Sequence, residues 1–296
     1  MKKSIVFKGL FPAIVTPFNA DGSMNLEGLK DNVKFYMSAG CSGVCFSGST
    51  GEHANLSRQE RIDGIKAIKE VIGDGKIISG AGASNTAGAL EIVKDVKEAG
   101  ADAALIYSPN ASATDDGMVK HFETLAQAGL PLLLYNYPAA TGIDISFELF
   151  SRLIAIPEVV GMKESSGNLP LLMEILRNYS VDEITLFSGS DDLILPAAAV
   201  GLKAMILATG GIVPEKVIGI FKYVEEGNMA KAREINDSIM PLVSVIGSED
   251  NFPSRIKKAA SLIGRASGDP RLPILPVSDE DEAEIKSVLK IAGYDL

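Results

Sequence analysis

One lysine, Lys163, closes the apolar run Val159-Val160-Gly161-Met162-Lys163. Such a run reads as a short buried strand. Burial disfavours the ammonium, lowers the lysine pKa and leaves a free amine able to attack a carbonyl carbon. The chemistry indicated is Schiff-base formation. The alternative is a lysine at the strand end whose head reaches solvent. Tyr135 ends a second run, Leu132-Leu133-Leu134-Tyr135. A phenol beside a desolvated amine can pass protons while an imine forms and hydrolyses. Alone, it is equally an amphipathic strand cap. In Gly48-Ser49-Thr50-Gly51-Glu52, two hydroxyls and the N–H groups of a glycine turn suit a carboxylate. A turn that caps a helix is the other reading of that segment.

Regular elements must carry these groups. Apolar runs alternate evenly with amphipathic segments. Strands are expected at Ala13 to Pro17, Gly43 to Ser47, Lys76 to Ser79 and Ala104 to Tyr107, then at Leu132 to Tyr135, Val159 to Lys163, Thr185 to Ser188 and Ala204 to Leu207. Asn25 opens a helix to about Ala39, Ser57 with Glu60 makes a capping box, and Gly100 stops the third helix. Further helices are expected around 115–128, 146–154, 168–178 and 192–200. Eight strand–helix alternations within about 225 residues mark a (β/α)8 TIM barrel. A doubly wound sheet, the runner-up, gives no reason for so even a spacing. After Pro214 only helices are expected, over 215–225, 228–246, 251–264 and 279–292. The expected organisation is a barrel over residues 1–224 and a C-terminal helical extension over 225–296. That extension would cover the barrel or build an oligomer contact.

In such barrels the reacting groups stand at the carboxyl ends of the strands. Those ends include Thr16, Ser47 to Glu52, Ser79 to Gly82, Tyr107, Tyr135 to Pro138, Lys163 to Ser166, Ser188 to Asp192 and Thr209 to Gly211. This face is rich in hydroxyls and has one lysine and no histidine but His53. It suits proton relay around a carbonyl and suits metal binding poorly. His53 reads as a loop or helix-entry residue, and Gly80-Ala81-Gly82 as a tight turn. Asp191-Asp192 reads as a cap for the next helix, with contact to substrate hydroxyls as the functional alternative. Phosphate is disfavoured, because the loops after strands seven and eight hold two aspartates and no arginine. A net charge of −10 argues against nucleic acid. No apolar stretch reaches the roughly 18 residues of a membrane span, and Lys8 and Gly9 interrupt any signal-peptide core. Cys41 and Cys45 read as structural thiols in a reducing cytoplasm.

Gly48-Ser49-Thr50-Gly51-Glu52, Tyr135-Asn136-Tyr137-Pro138 and Gly161-Met162-Lys163-Glu164 together resemble the dihydrodipicolinate synthase/N-acetylneuraminate lyase family. Thr16-Pro17-Phe18 with Asp21-Gly22, and Ser188-Gly189-Ser190-Asp191, match as well, so the resemblance spans almost the whole chain. It implies a barrel with C-terminal helices, a homotetramer, and a class I aldolase reaction through pyruvate with neither metal nor organic cofactor. By this resemblance Lys163 forms the Schiff base and Tyr135 relays protons. Ser49 and Thr50, in the turn begun by Gly48, hold the pyruvate carboxylate. Backbone carbonyls of Gly189 and Ile206 line the pocket.

The chain departs from the synthases of the family in two places. The arginine that follows their Tyr-Asn-x-Pro box is absent, since Pro138 leads into Ala139-Ala140-Thr141-Gly142. An acceptor carboxylate thereby loses its bidentate partner. Their tyrosine pair after the fourth strand is replaced by Ser108-Pro109-Asn110-Ala111-Ser112-Ala113, and Tyr107 stands before the proline, so it is not assigned that role. The Tyr-Asn-Tyr-Pro-Ala-Ala-Thr-Gly box and the run Leu-Pro-Ile-Leu-Pro at 272–276 look like 2-keto-3-deoxy sugar acid aldolases. The expected reaction is reversible cleavage of such an acid to pyruvate and an aldehyde. The alternatives are dihydrodipicolinate synthase, which condenses pyruvate with aspartate semialdehyde, N-acetylneuraminate lyase, and a dehydratase working through the same imine. Outside catalysis stand a keto-acid-binding relative and an oligomeric scaffold.

Overall fold

Short apolar runs buried on both faces favour a parallel sheet wrapped by helices. A computed structural model, describing residues 3–107, 112–247 and 251–296, has that architecture. Its strands are β1 (Gly9–Pro12), β2 (Gly43–Phe46), β3 (Lys76–Gly80), β4 (Ala103–Tyr107), β5 (Leu132–Asn136), β6 (Val159–Glu164), β7 (Thr185–Ser188) and β8 (Ala204–Leu207). They form one parallel sheet in the order β1-β8-β7-β6-β5-β4-β3-β2. A bridge between Ala13 and Cys45 brings the end of β1 back to β2 and rounds off the barrel. The first strand therefore precedes the expected Ala13–Pro17 segment. Residues 13–17 are buried, but beyond that single bridge they run past the sheet, and apolar character reports burial rather than pairing.

The helices are α1 (Leu26–Ser38), α2 (Arg58–Val71), α3 (Thr86–Ala99), α4 (Asp115–Ala126), α5 (Pro138–Thr141) and α6 (Phe147–Ile154). After them come α7 (Leu169–Asn178), α8 (Ile194–Ala199), α9 (Pro214–Glu225), α10 (Met229–Ile246), α11 (Phe252–Leu262) and α12 (Asp279–Ile291). Their ends follow local chemistry. Asn25 accepts from the Gly28 N–H, Ser57 and Glu60 form the capping box, and Gly100 ends α3 at φ +106°. Inside the barrel, the Phe7, Phe11 and Phe187 rings pack together in one cluster with Leu133, Tyr107, Tyr135 and Ile206. The larger cluster fills the space between strands and helices. Cys41 and Cys45 are free, buried thiols that burial pushes up to about 12 and about 11. Among the described residues no helix is long and apolar enough to cross a membrane.

Candidate active site

An irregularity in β6 decides which way Lys163 faces. Leu132 lies opposite Val159 but Leu133 opposite Gly161, so Val160 is an extra residue. Val160 belongs to the barrel interior, whereas Met162 packs outward among the helices. Counting by twos from Val160 would turn Met162 inward and Lys163 outward. The bulge shifts that alternation by one. Lys163 then faces the interior, in register beside Tyr135. Gly161 permits the close approach, because a Cβ there would sit 1.8 Å from the Thr185 carbonyl oxygen.

Lys163 is 7% exposed and its Nζ donates to the Tyr135 hydroxyl at 3.4 Å, with the ring centroid 4.4 Å away. Burial disfavours the ammonium, but the neighbouring Tyr135, Cys45 and Asp191 together outweigh it and hold the Lys163 pKa above its ordinary value. The expectation of a lowered pKa is thereby overturned. The resting group is an ammonium that donates to the Tyr135 oxygen, so its proton can leave along that phenol as the phenol passes its own proton on. Asp191 also differs from its reading as a helix cap. Its carboxylate accepts from the Thr209 N–H at 2.7 Å and the Ala208 N–H at 3.4 Å, which ties the loop after β7 to the end of β8. The helix itself begins only at Ile194, after a turn of 3-10 helix from Asp191 to Leu193.

A cavity of about 910 Å³ opens at the carboxyl ends of the strands. Gly48, Ser49, Thr50, Tyr135, Lys163, Gly189 and Ile206 all line it, so every candidate site residue comes together. Ser165, Ser166, Ser190 and Asp192 stand on the same wall system, and Ala139 and Ala140 occupy the place after the Tyr-Asn-Tyr-Pro box. Met240, Val243 and Ser244 of α10, with Phe252 of α11, complete the lining from the C-terminal helices. No arginine is among the described residues that line it.

Tyr107, set aside in the sequence, lines the cavity too. Its ring meets Tyr135 edge-on at 4.9 Å, and Tyr135 stacks on Tyr137 at 5.7 Å. Burial pushes the Tyr107 phenol well up, Tyr135 adds to this, and the nearby Ser49 hydroxyl opposes it. His53 opens a turn of 3-10 helix, in keeping with its helix-entry reading, and its ring also stacks on Tyr107 at 4.5 Å, where burial, with Arg61 nearby, lowers its pKa. Gly82 is likewise a close approach rather than just a tight turn, since a Cβ there would meet the Tyr107 ring at 2.4 Å. The segment 108–111, where the family's tyrosine pair falls, lies outside the described residues. Asn136 fastens the β5 end to the β6 end. Its amide donates to Glu164 Oε1 at 3.3 Å and Asp144 Oδ1 at 3.0 Å, and its oxygen accepts from the Ile145 N–H. Among the described residues no group of three or more His, Cys, Asp or Glu is placed to hold a metal ion.

The family model of the dihydrodipicolinate synthetase family matches residues 6–292. The chain belongs to that family. It is 35% identical over 289 residues to 4-hydroxy-tetrahydrodipicolinate synthase of Methanothrix thermoacetophila, covering 96% of each chain. It is 37% identical over 294 residues to the same enzyme of Methanosphaerula palustris, covering 98% of this chain and 100% of that one. Among solved structures, dihydrodipicolinate synthase from Aquifex aeolicus superposes with TM-score 0.89 at 32% identity, over 96% of this chain and 97% of that one. The Acinetobacter baumannii synthase complexed with pyruvate does so with TM-score 0.91 at 31% identity, over 97% and 99%. Dihydrodipicolinate synthetase family members are class I aldolases and lyases, so this chain is an enzyme of that class.

Proposed function

We propose that this family member forms a Schiff base between Lys163 and pyruvate and joins the derived enamine to an aldehyde, or runs the reverse cleavage. The observation that carries the reading is the register of Lys163 beside Tyr135 in a hydroxyl-lined cavity, with Nζ 3.4 Å from the phenol. Lys163 loses a proton through Tyr135, whose phenol passes its own proton to the cavity solvent as it accepts, and the free amine attacks the keto carbon. The carbinolamine sheds its oxygen as water, with Tyr135 returning the proton. Ser49 and Thr50 hold the carboxylate through the turn begun by Gly48, and the Gly189 and Ile206 carbonyls face the ligand. The iminium acidifies the methyl group. A methyl proton passes to the cavity solvent and gives an enamine, whose carbon adds to the aldehyde carbon; the aldehyde oxygen takes a proton back as it becomes a hydroxyl, and water hydrolyses the new iminium to free Lys163.

The names of the relatives favour aspartate semialdehyde as the acceptor, which makes the synthase the first reading and places it ahead of the sugar-acid aldolase expected from the sequence. The lining favours a second reading. Ala139 and Ala140 leave no guanidinium for an acceptor carboxylate, while Ser165, Ser166, Ser190 and Asp192 suit the hydroxyls of a keto-deoxy sugar acid. Pyruvate with borohydride should add a fixed mass at Lys163, and none in Lys163→Ala. An unmodified lysine in folded protein would sink the whole reading. Comparing kcat/KM for aspartate semialdehyde and for sugar-derived aldehydes then ranks the acceptors, and faster turnover of the sugar aldehydes would displace the synthase. The homotetramer stays part of the proposal, and sedimentation measures it.

A further inference from the structure

The hydroxyl turn is held in an unfavourable backbone. Ser47 and Glu52, which bracket it, both sit at φ +55°, a region that residues bearing a side chain seldom adopt. Such strain persists only where the surroundings over-determine it. Two largely buried cations do so here. Arg61 of α2 donates from Nε to Ser47 Oγ at 2.9 Å and from Nη2 to the His53 carbonyl at 3.2 Å. Lys257 of α11 donates to Glu52 Oε1 at 2.7 Å and to the Thr16 carbonyl at 2.9 Å. The side chains of Lys257 and Glu52 are 1% and 0% exposed. Thr16 in turn donates its hydroxyl to the Gly51 carbonyl at 2.7 Å. These two hydrogen bonds of the Lys257 ammonium thus end on the turn or on the residue that braces it.

As a source of stability, a buried ion pair does little better than a well-packed apolar pair, because desolvation offsets the attraction. It does hold a carboxylate in one place. We infer that Lys257 is a positioning residue for the carboxylate cradle: through Glu52 and Thr16 it fixes Ser49 and Thr50, so a C-terminal helix governs pyruvate affinity. This rests on the pyruvate reading above.

The test follows borohydride trapping at Lys163 against pyruvate concentration in the full chain. It compares the wild type, Lys257→Met, and the pair Lys257→Met/Glu52→Gln, which removes both charges and strands neither. The pair variant should unfold cooperatively even where the single variant does not fold. Half-saturating pyruvate should rise about tenfold to a hundredfold, as when support behind binding groups is lost, with the saturating trapping rate within about twofold of wild type. A lowered melting temperature with unchanged half-saturation would mean a structural role alone and overturn the inference. A wild type that forms no adduct would overturn the pyruvate reading, and this inference with it.

Discussion

An ammonium cannot attack a carbonyl. Tyr135, Cys45 and Asp191 hold the Lys163 pKa above the ordinary value, so at neutral pH little of the amine is free. The sign of the pH dependence follows. Raising the pH releases the proton and supplies nucleophile, about tenfold for each pH unit below the pKa. Trapping of the pyruvate imine at sub-saturating pyruvate should therefore climb from about pH 6 to about pH 9 with no plateau near neutrality. Asp191 is the one carboxylate among the three neighbours. Its replacement, Asp191→Asn, should shift the climb to lower pH, because burial then opposes the ammonium with less against it. A profile that does not move would show that Asp191 exerts no field on the lysine.

At the scale of elements, the bulge in β6 and the glycine inside it set the reacting pair in register. Gly161→Ala would drive a Cβ into the Thr185 backbone, 1.8 Å from its oxygen and 2.6 Å from its carbonyl carbon, on a strand that cannot swing aside. The variant should lose at least about 3 kcal/mol in urea unfolding, the upper end for overpacking, and should lose trapping at Lys163 as well. A variant as stable as the wild type would mean that the strand pair tolerates re-registering. The bulge was not legible in the sequence. Val159 to Met162 are apolar whichever face they occupy, so the pattern carries no phase. Helix ends were legible, because Asn25, Ser57 with Glu60, and Gly100 act on backbone groups within a turn of themselves. The first strand was misplaced because residues 13–17 are buried while mostly outside the sheet. Lys163, Tyr135 and the hydroxyl turn stood out by residue type in an apolar setting. Glu52 could not be matched to its cation, which lies 205 positions away on a helix that sequence periodicity describes only by its own face.

Across the whole molecule, the C-terminal helices and the barrel share polar ties as well as the cavity lining. Arg271 hydrogen-bonds to both carboxylate oxygens of Glu60 on α2, to the Gly22 carbonyl and to the Asn55 carbonyl at 2.8 Å. That guanidinium, with the Ser57 hydrogen bonds opposing burial, holds the Glu60 carboxyl down from 4.5 to about 2. As pH falls, the unfolded chain takes up this proton first. The stabilisation from Glu60 is thus complete above about pH 4.5 and drains away between there and about pH 2. Glu60→Gln keeps a side chain able to cap α2 but removes the charge. It should be less stable than the wild type at neutral pH, show a shallower loss through the acid window, and converge with the wild type near pH 2. Urea midpoints taken across that range measure the two slopes. Parallel curves would mean that Arg271 gains as much from solvent in the unfolded chain as from Glu60 in the fold, leaving the remaining contacts of the loop to fasten it to α2.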